Sequence, residues 1–185
     1  TIDGNLQKLH YTLLNNPSPL KKHLAMASIT SFSDNYELWR YNRINKLLEI
    51  FGIDFFPGKK ILELGGGHGD LGAFFADLGA KVTCLEGRIQ NCNIAKLKWN
   101  HLDSFECHHH DLETDFTKYG NFDLIINTGV LYHIKEIENH LSYCTEMSKC
   151  IILETEVCDS LDQSKVIFVD ENRKAPTQAV SGTGS

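Results

Sequence analysis

The sequence predicts an α/β fold: a doubly wound, mainly parallel sheet with helices on both faces and a helical cap at its N-terminal side. Three observations carry this expectation. Apolar strand-like runs and amphipathic helical stretches alternate from residue 58 onward, as consecutive strand and helix units do. The runs Asp123-Leu124-Ile125-Ile126 and Cys150-Ile151-Ile152-Leu153 are almost continuously apolar, which suits strands buried on both sides. Between the first strand and the first helix of the alternating part stands the glycine-rich stretch Gly65-Gly66-Gly67-His68-Gly69.

In chain order, residues 1–57 form the cap. Pro17 and Pro19 punctuate the start of a helix over about 18–29. A second helix is expected from Ser33 or Asp34, both N-cap residue types, to Phe51. Tyr36, Trp39, Ile44, Leu47, Leu48 and Phe51 recur at helical spacing there, and Gly52 supplies the stop. After Pro57-Gly58 the pattern predicts strand 60–64, helix 70–78, strand 81–86, helix 88–99, strand 105–110, strand 122–127, helix 135–148 and strand 150–156. Val166-Ile167-Phe168-Val169 offers one more strand. Residues 58–170 thus make the core, and 171–185 a polar tail.

At 185 residues, with 42% hydrophobic and 23% charged residues, the chain can bury one core. No apolar run is long enough to span a bilayer, and the first residues lack the basic-then-apolar plan of a secretory signal. A cytoplasmic protein without membrane contact is expected. Of six cysteines, five fall inside predicted strands and helices, and none forms a C-x-x-C pair, so they read as buried free thiols. Consecutive residues of His108-His109-His110 point to alternate faces of a strand and have no metal-ligand partner motif, so they read as a strand-end polar cluster. A net charge of −6 argues against a nucleic-acid partner, although the first 60 residues carry eight Lys or Arg against five acids.

The glycine loop is the chemical centre of the sequence. Gly65, Gly67 and Gly69 remove side chains that would keep a backbone away from a ligand, and the helix from about Asp70 points its amide-rich end at the same place. Gly67, Gly69 and Gly72 also satisfy the G-x-G-x-x-G of dinucleotide-binding folds. Glu63 and Asp70 flank the loop, however, and two carboxylates suit a cation better than a pyrophosphate, which disfavours a nicotinamide enzyme.

Glu63-x-Gly65-x-Gly67-x-Gly69 resembles motif I of the class I, Rossmann-like S-adenosylmethionine (SAM) methyltransferases, whose cofactor carries a sulfonium and an ammonium but no phosphate. The resemblance covers about residues 59–157. It implies SAM as cofactor, S-adenosylhomocysteine (SAH) as product, and cofactor contacts from Glu63, Gly65, Gly67 and Gly69. In such a sheet the ligand lies beyond the carboxyl ends of the strands. Glu86, closing the second strand, is placed to accept hydrogen bonds from ribose hydroxyls. Asp111 ends the third strand and is a candidate for the adenine amino group with Leu112 on the ring, or else a helix N-cap. Asn127 ends the fourth strand as a further cofactor candidate, and donor and acceptor should meet along Asn127-Thr128-Gly129-Val130-Leu131-Tyr132-His133. This segment is not N-P-P-Y and there is no Pro-Cys nucleophile, which disfavours DNA adenine, glutamine and cytosine-C5 methylation. Tyr132 and His133 are the catalytic candidates, His133 as the base for a hydroxyl or amine acceptor or else as a capping residue.

Trp39-Arg40-Tyr41-Asn42-Arg43-Ile44 is similar to a run upstream of the glycine loop in the tRNA wobble-uridine carboxymethyltransferases. Gly129-Val130-Leu131-Tyr132-His133, followed by Ile152-Leu153-Glu154-Thr155, is similar to that family's segment after its fourth strand. This similarity implies that Arg40 meets a cofactor carboxylate, the alternative being a helix-surface arginine. The complete methyltransferase fold has seven strands, so one or two are expected to be absent, either from a shortened fold or from a piece of a longer chain. The uncovered edge predicts a homodimer. Methyl transfer to O or N of a small-molecule acceptor is the expected function. A tRNA-modifying transferase and a non-catalytic SAM-binding module are the alternatives.

Overall fold

A computed structural model of the chain describes residues 34–162, 164–165, 167, 169–170 and 183–184. The helix expected over 18–29 lies outside them. Helix α1 (Asp34–Phe51) passes through a 3-10 turn at Ile53–Phe55 into β1 (Lys60–Leu64). There follow α2 (Asp70–Asp77), β2 (Lys81–Glu86), α3 (Ile89–Lys98), β3 (Phe105–His109), β4 (Leu124–Thr128), α4 (Ile137–Met147) and β5 (Ile151–Glu154), with 3-10 turns at Thr117–Tyr119 and Leu131–His133. Every strand and helix expected between residues 60 and 156 is present, its ends within two residues of the predicted ones.

The five strands form one parallel sheet in the order β3-β2-β1-β4-β5. The order reverses between β1 and β4, and the crevice for a ligand therefore opens at the carboxyl ends of these two strands. Side chains alternate between the faces. Ile61, Val82, Cys84, Phe105, Leu124 and Ile126 pack on one face with Ile44 and Leu47 of α1 and the apolar sides of α2 and α3. Leu62, Leu64, Leu85 and Ile125 pack on the other with Leu112, Phe116 and the α4 residues Cys144 and Met147. Helix α1 thus shares a face with α2 as part of the core. The connection is anchored by aromatic stacking: the fully buried Phe56 lies on Phe75 of α2 with ring centroids 4.4 Å apart.

Cys84, Cys92, Cys107 and Cys144 are buried, Cys150 and Cys158 half-buried, and all six are free thiols. No helix among the described residues is long and apolar enough to cross a membrane. The C-terminal expectation needs correction. Of residues 166–169 the structure describes Ile167, which is in no strand, and Val169, which opens β6 (Val169–Asp170); β6 pairs antiparallel with β7 (Thr183–Gly184) in a separate two-stranded ribbon. Val169 and Asp170 are both exposed, so β6 has no apolar face to dock on the sheet, and among the described residues β5 is an edge strand with Leu153 exposed.

Because Phe75 joins α2 to the segment before β1, Phe75→Ala should cost about 3–5 kcal/mol of stability, read as a lower urea midpoint. A loss below about 1 kcal/mol would show that this stack does not anchor the connection.

Candidate active site

β1 ends at Leu64, and the backbone then turns with φ of +65° at Gly65, +57° at Gly67 and +74° at Gly69, the left-handed region that glycine adopts without strain. A Cβ on Gly65 would overlap Val130 Cγ2, so the loop rests directly on the segment after β4. Two other glycines serve a carboxylate. A Cβ on Gly66 would come 2.7 Å from Glu63 Oε2, and one on Gly72 would collide with the same oxygen. Glu63 lies buried behind the loop, where its Oε2 accepts the Gly72 N–H at 3.1 Å. The overlap with the dinucleotide pattern at Gly72 is thus explained by a side chain packed against α2.

Burial pushes the Glu63 carboxyl up to about 7, with the charges of Asp70 and Glu86 adding to the rise and the bonds from Cys84 and Gly72 opposing it. Glu86 approaches the loop from β2. Its Oε2 accepts the Gly67 N–H at 2.8 Å, and its Oε1 accepts the Arg88 N–H at 2.8 Å and Asn91 Nδ2 at 3.4 Å. Burial raises its pKa while the amides of Arg88 and Gly67 lower it. A carboxylate offers about four acceptor sites, so Glu86 keeps capacity for a hydroxyl beside the loop.

Asp70, the first residue of α2, is buried between two cations: Arg40 Nη2 at 3.2 Å, and Lys98 Nζ in a direct hydrogen bond. Arg40, half-buried with its side chain 14% exposed, is therefore an ion-pair partner of Asp70. Two cations on one carboxylate leave one positive charge in excess beside the loop. Burial lowers the Lys98 pKa, against the pull of Asp70. Trp99 Nε1 donates to the His68 carbonyl at 2.8 Å and ties the loop to α3.

Asp111 is exposed, and its Oδ1 accepts the Glu113 N–H at 3.1 Å; it caps a turn, with no helix following directly. Leu112 is buried among Leu64, Leu85 and Phe116. Asn127 is fully buried at the end of β4, with Nδ2 at 2.9 Å from His140 Nε2. His140 Nδ1 lies 3.1 Å from the Leu112 carbonyl. A carbonyl only accepts, so the histidine donates from Nδ1 and receives the Asn127 amide at Nε2. Burial lowers its pKa and keeps it neutral. His140 thus joins the Asp111-Leu112 segment to β4. It was missed in the sequence, although His140, Cys144 and Met147 fall on one buried stripe of α4.

Tyr132 and His133 occupy the 3-10 turn after β4, their ring centroids 4.2 Å apart. Tyr132 opens onto a cleft of about 710 Å³ whose other walls come from Trp39, Asn42 and Arg43 of α1 and from Glu154 and Glu156. Arg43 Nε donates to both Glu154 oxygens, at 2.9 and 3.1 Å, closing α1 onto the end of β5. The Gly129 N–H donates to the Glu154 carbonyl at 2.9 Å, and a Cβ on Gly129 would lie 2.8 Å from Arg43 Nη2. The structure therefore brings Glu63, Gly65, Gly67, Gly69, Glu86 and Arg40 around the loop and sets Tyr132 in the adjoining cleft. Of the three buried acids around the loop, Glu63 is raised to about 7 and Asp70 is paired with two cations, so Glu86, with its spare acceptor capacity, is the one left to meet a ligand hydroxyl.

The strand order, the glycine loop and the carboxylate closing β2 are features that nucleoside-cofactor domains share, and the comparisons make this one a class I SAM-dependent methyltransferase domain with SAM as cofactor. A family model described as methyltransferase domain matches residues 36–154, and the chain belongs to that family. Among solved structures, the N-terminal domain of EvdMO1 with SAH bound is 27% identical with a TM-score of 0.63, covering 77% of this chain and 63% of that one. The chain thus spans less than two thirds of that domain's length. Magnesium protoporphyrin IX methyltransferase from Synechocystis PCC 6803, with bound SAH, shares the fold at 17% identity and a TM-score of 0.56, covering 72% of this chain and 64% of that one. So does a putative RNA methyltransferase from Pyrococcus horikoshii, at 22% identity and 0.53, covering 71% and 70%. No curated protein matches the chain.

The raised Glu63 carboxyl makes stability pH-dependent with a fixed sign. Its folded pKa of about 7 lies above the ordinary 4.5, so its contribution is complete below about pH 4.5 and is lost as pH rises through 7. Urea unfolding of the wild type and Glu63→Gln between about pH 4 and pH 8 should show the wild type losing on the order of 3 kcal/mol relative to the variant. A constant difference would contradict a buried, protonated Glu63.

Proposed function

We propose that the chain transfers the methyl group of SAM to a hydroxyl or amine of a small-molecule acceptor held in the cleft beside Tyr132. The observation that carries this reading is the adjacency of cleft and loop. Gly65 rests on Val130, and two residues later Tyr132 faces the cleft. A crystal structure of the N-terminal EvdMO1 domain in the presence of SAH and D-fucose, 27% identical to this chain, supports a small acceptor.

The cofactor contributes an activated methyl group on a sulfonium. In this reading the glycine loop admits it, Glu86 takes a ribose hydroxyl, and Arg40, with the excess positive charge around Asp70, faces its carboxylate. Glu63 holds the loop against α2 from behind. Asp111 takes the adenine amino group, Leu112 forms a wall of that pocket, and Asn127 holds the end of β4 through His140. Methyl transfer from a sulfonium asks mainly for an aligned acceptor. Tyr132 orients the acceptor, and His133 receives the proton it loses.

SAH release from SAM, measured over a panel of hydroxylated and amine acceptors, tests the reading directly. His133→Ala should lower kcat with SAH affinity unchanged; equal loss of both would mark His133 as structural. Glu86→Ala should weaken SAH binding by roughly 1–3 kcal/mol by calorimetry, and unchanged affinity would remove the ribose role.

A further inference from the structure

The walls of the cleft constrain what fills it. Two cations and three carboxylates line it, and both cations are already paired: Arg43 with Glu154, and Lys46 with Glu49 at 3.0 Å. Glu156 has no ion pair among the described residues, which leaves the cleft with one net negative charge. A phosphorylated or carboxylated acceptor would have to break a pair or face like charge. Anionic acceptors, RNA included, are disfavoured by the site itself.

The remaining lining has two chemistries. Trp39 and Tyr132 supply aromatic surface, and Trp39 is 47% exposed. Asn42 and Asn45 supply amides that both donate and accept, while Glu154 and Glu156 only accept. Arg43 fixes the Glu154 carboxylate through two bonds, so this acceptor is oriented in advance. A flat apolar acceptor would use the aromatic surface but leave the polar groups facing it without partners. A neutral pyranose ring satisfies both, with an apolar C–H face for the indole and hydroxyls at its edge for amides and carboxylates.

We infer that the cleft is a binding site for a neutral carbohydrate, its ring stacked on Trp39 and its hydroxyls read by Asn42, Asn45, Glu154 and Glu156. This rests on the methyl-transfer reading for its role as acceptor site, but its binding can be measured separately.

The test titrates the SAH-saturated chain with the methyl glycosides of fucose, glucose, galactose and mannose, and with glucuronate and catechol, by saturation-transfer NMR. At least one neutral glycoside should saturate and bind at least about fivefold more tightly than glucuronate and catechol. Trp39→Ala should weaken it about tenfold or more with SAH affinity unchanged, and Trp39→Phe should restore part of the loss. Tryptophan emission should respond, because Trp99 is 1% exposed and Trp39 is the exposed indole of the two in the chain. Failure of every glycoside to bind, preference for glucuronate or catechol, or indifference to Trp39→Ala would overturn the inference. A glycoside that saturates the cleft while no member of the acceptor panel drives SAH release would sink the methyl-transfer reading and leave the carbohydrate site standing.

Discussion

Two buried carboxylates hold the loop that the rest of the site is built around. Glu63 fixes it from behind through the Gly72 amide, and Glu86 fixes it from the β2 side through the Gly67 amide. Burying a carboxyl is unfavourable unless its oxygens are hydrogen-bonded, and here the partners are backbone amides that a glycine-rich turn exposes. The same bonds that offset the burial therefore set the loop's shape. The desolvation is not fully offset at Glu63, which holds its proton up to about 7.

Helix α1 connects the cofactor side to the acceptor side. Arg40 points to Asp70 at the start of α2, and Arg43, three residues on, reaches Glu154 at the end of β5. Residues three apart lie on neighbouring positions of one helix face, so a single rigid element spans the loop and the cleft. The helix expected to act as a cap is in this way a structural wall of both. The Asp70 cluster has the larger energetic weight, since removing one partner of a buried charge pair strands the other. The Arg43 pair, with Glu154 half-exposed, serves mainly to orient a carboxylate.

The fold was legible because its signals are local. Continuous apolar runs marked β4 and β5, and periodic apolar residues marked α1. The glycines at 65, 67 and 69 were legible as loop residues because positive φ favours glycine. What sequence could not show were contacts between distant residues. Gly66 and Gly72 look like members of a phosphate motif until Glu63 is seen against them. Lys98 and Asp70 are 28 positions apart, and nothing local marks them as partners. The bond from Asn127 to His140 likewise joins a strand end to a helix face. Val166–Val169 had the composition of a strand, but composition does not decide which edge a strand joins; the part described pairs with Thr183–Gly184 instead of β5.

The glycine loop, held by Glu63 and Glu86, is the cofactor site of a SAM-dependent methyltransferase domain. Calorimetric titration of the purified chain with SAH and NAD side by side tests it most directly. Saturable binding of SAH with no response to NAD is the expected result, whereas NAD binding as tight as or tighter than SAH would contradict the assignment of the loop to SAM.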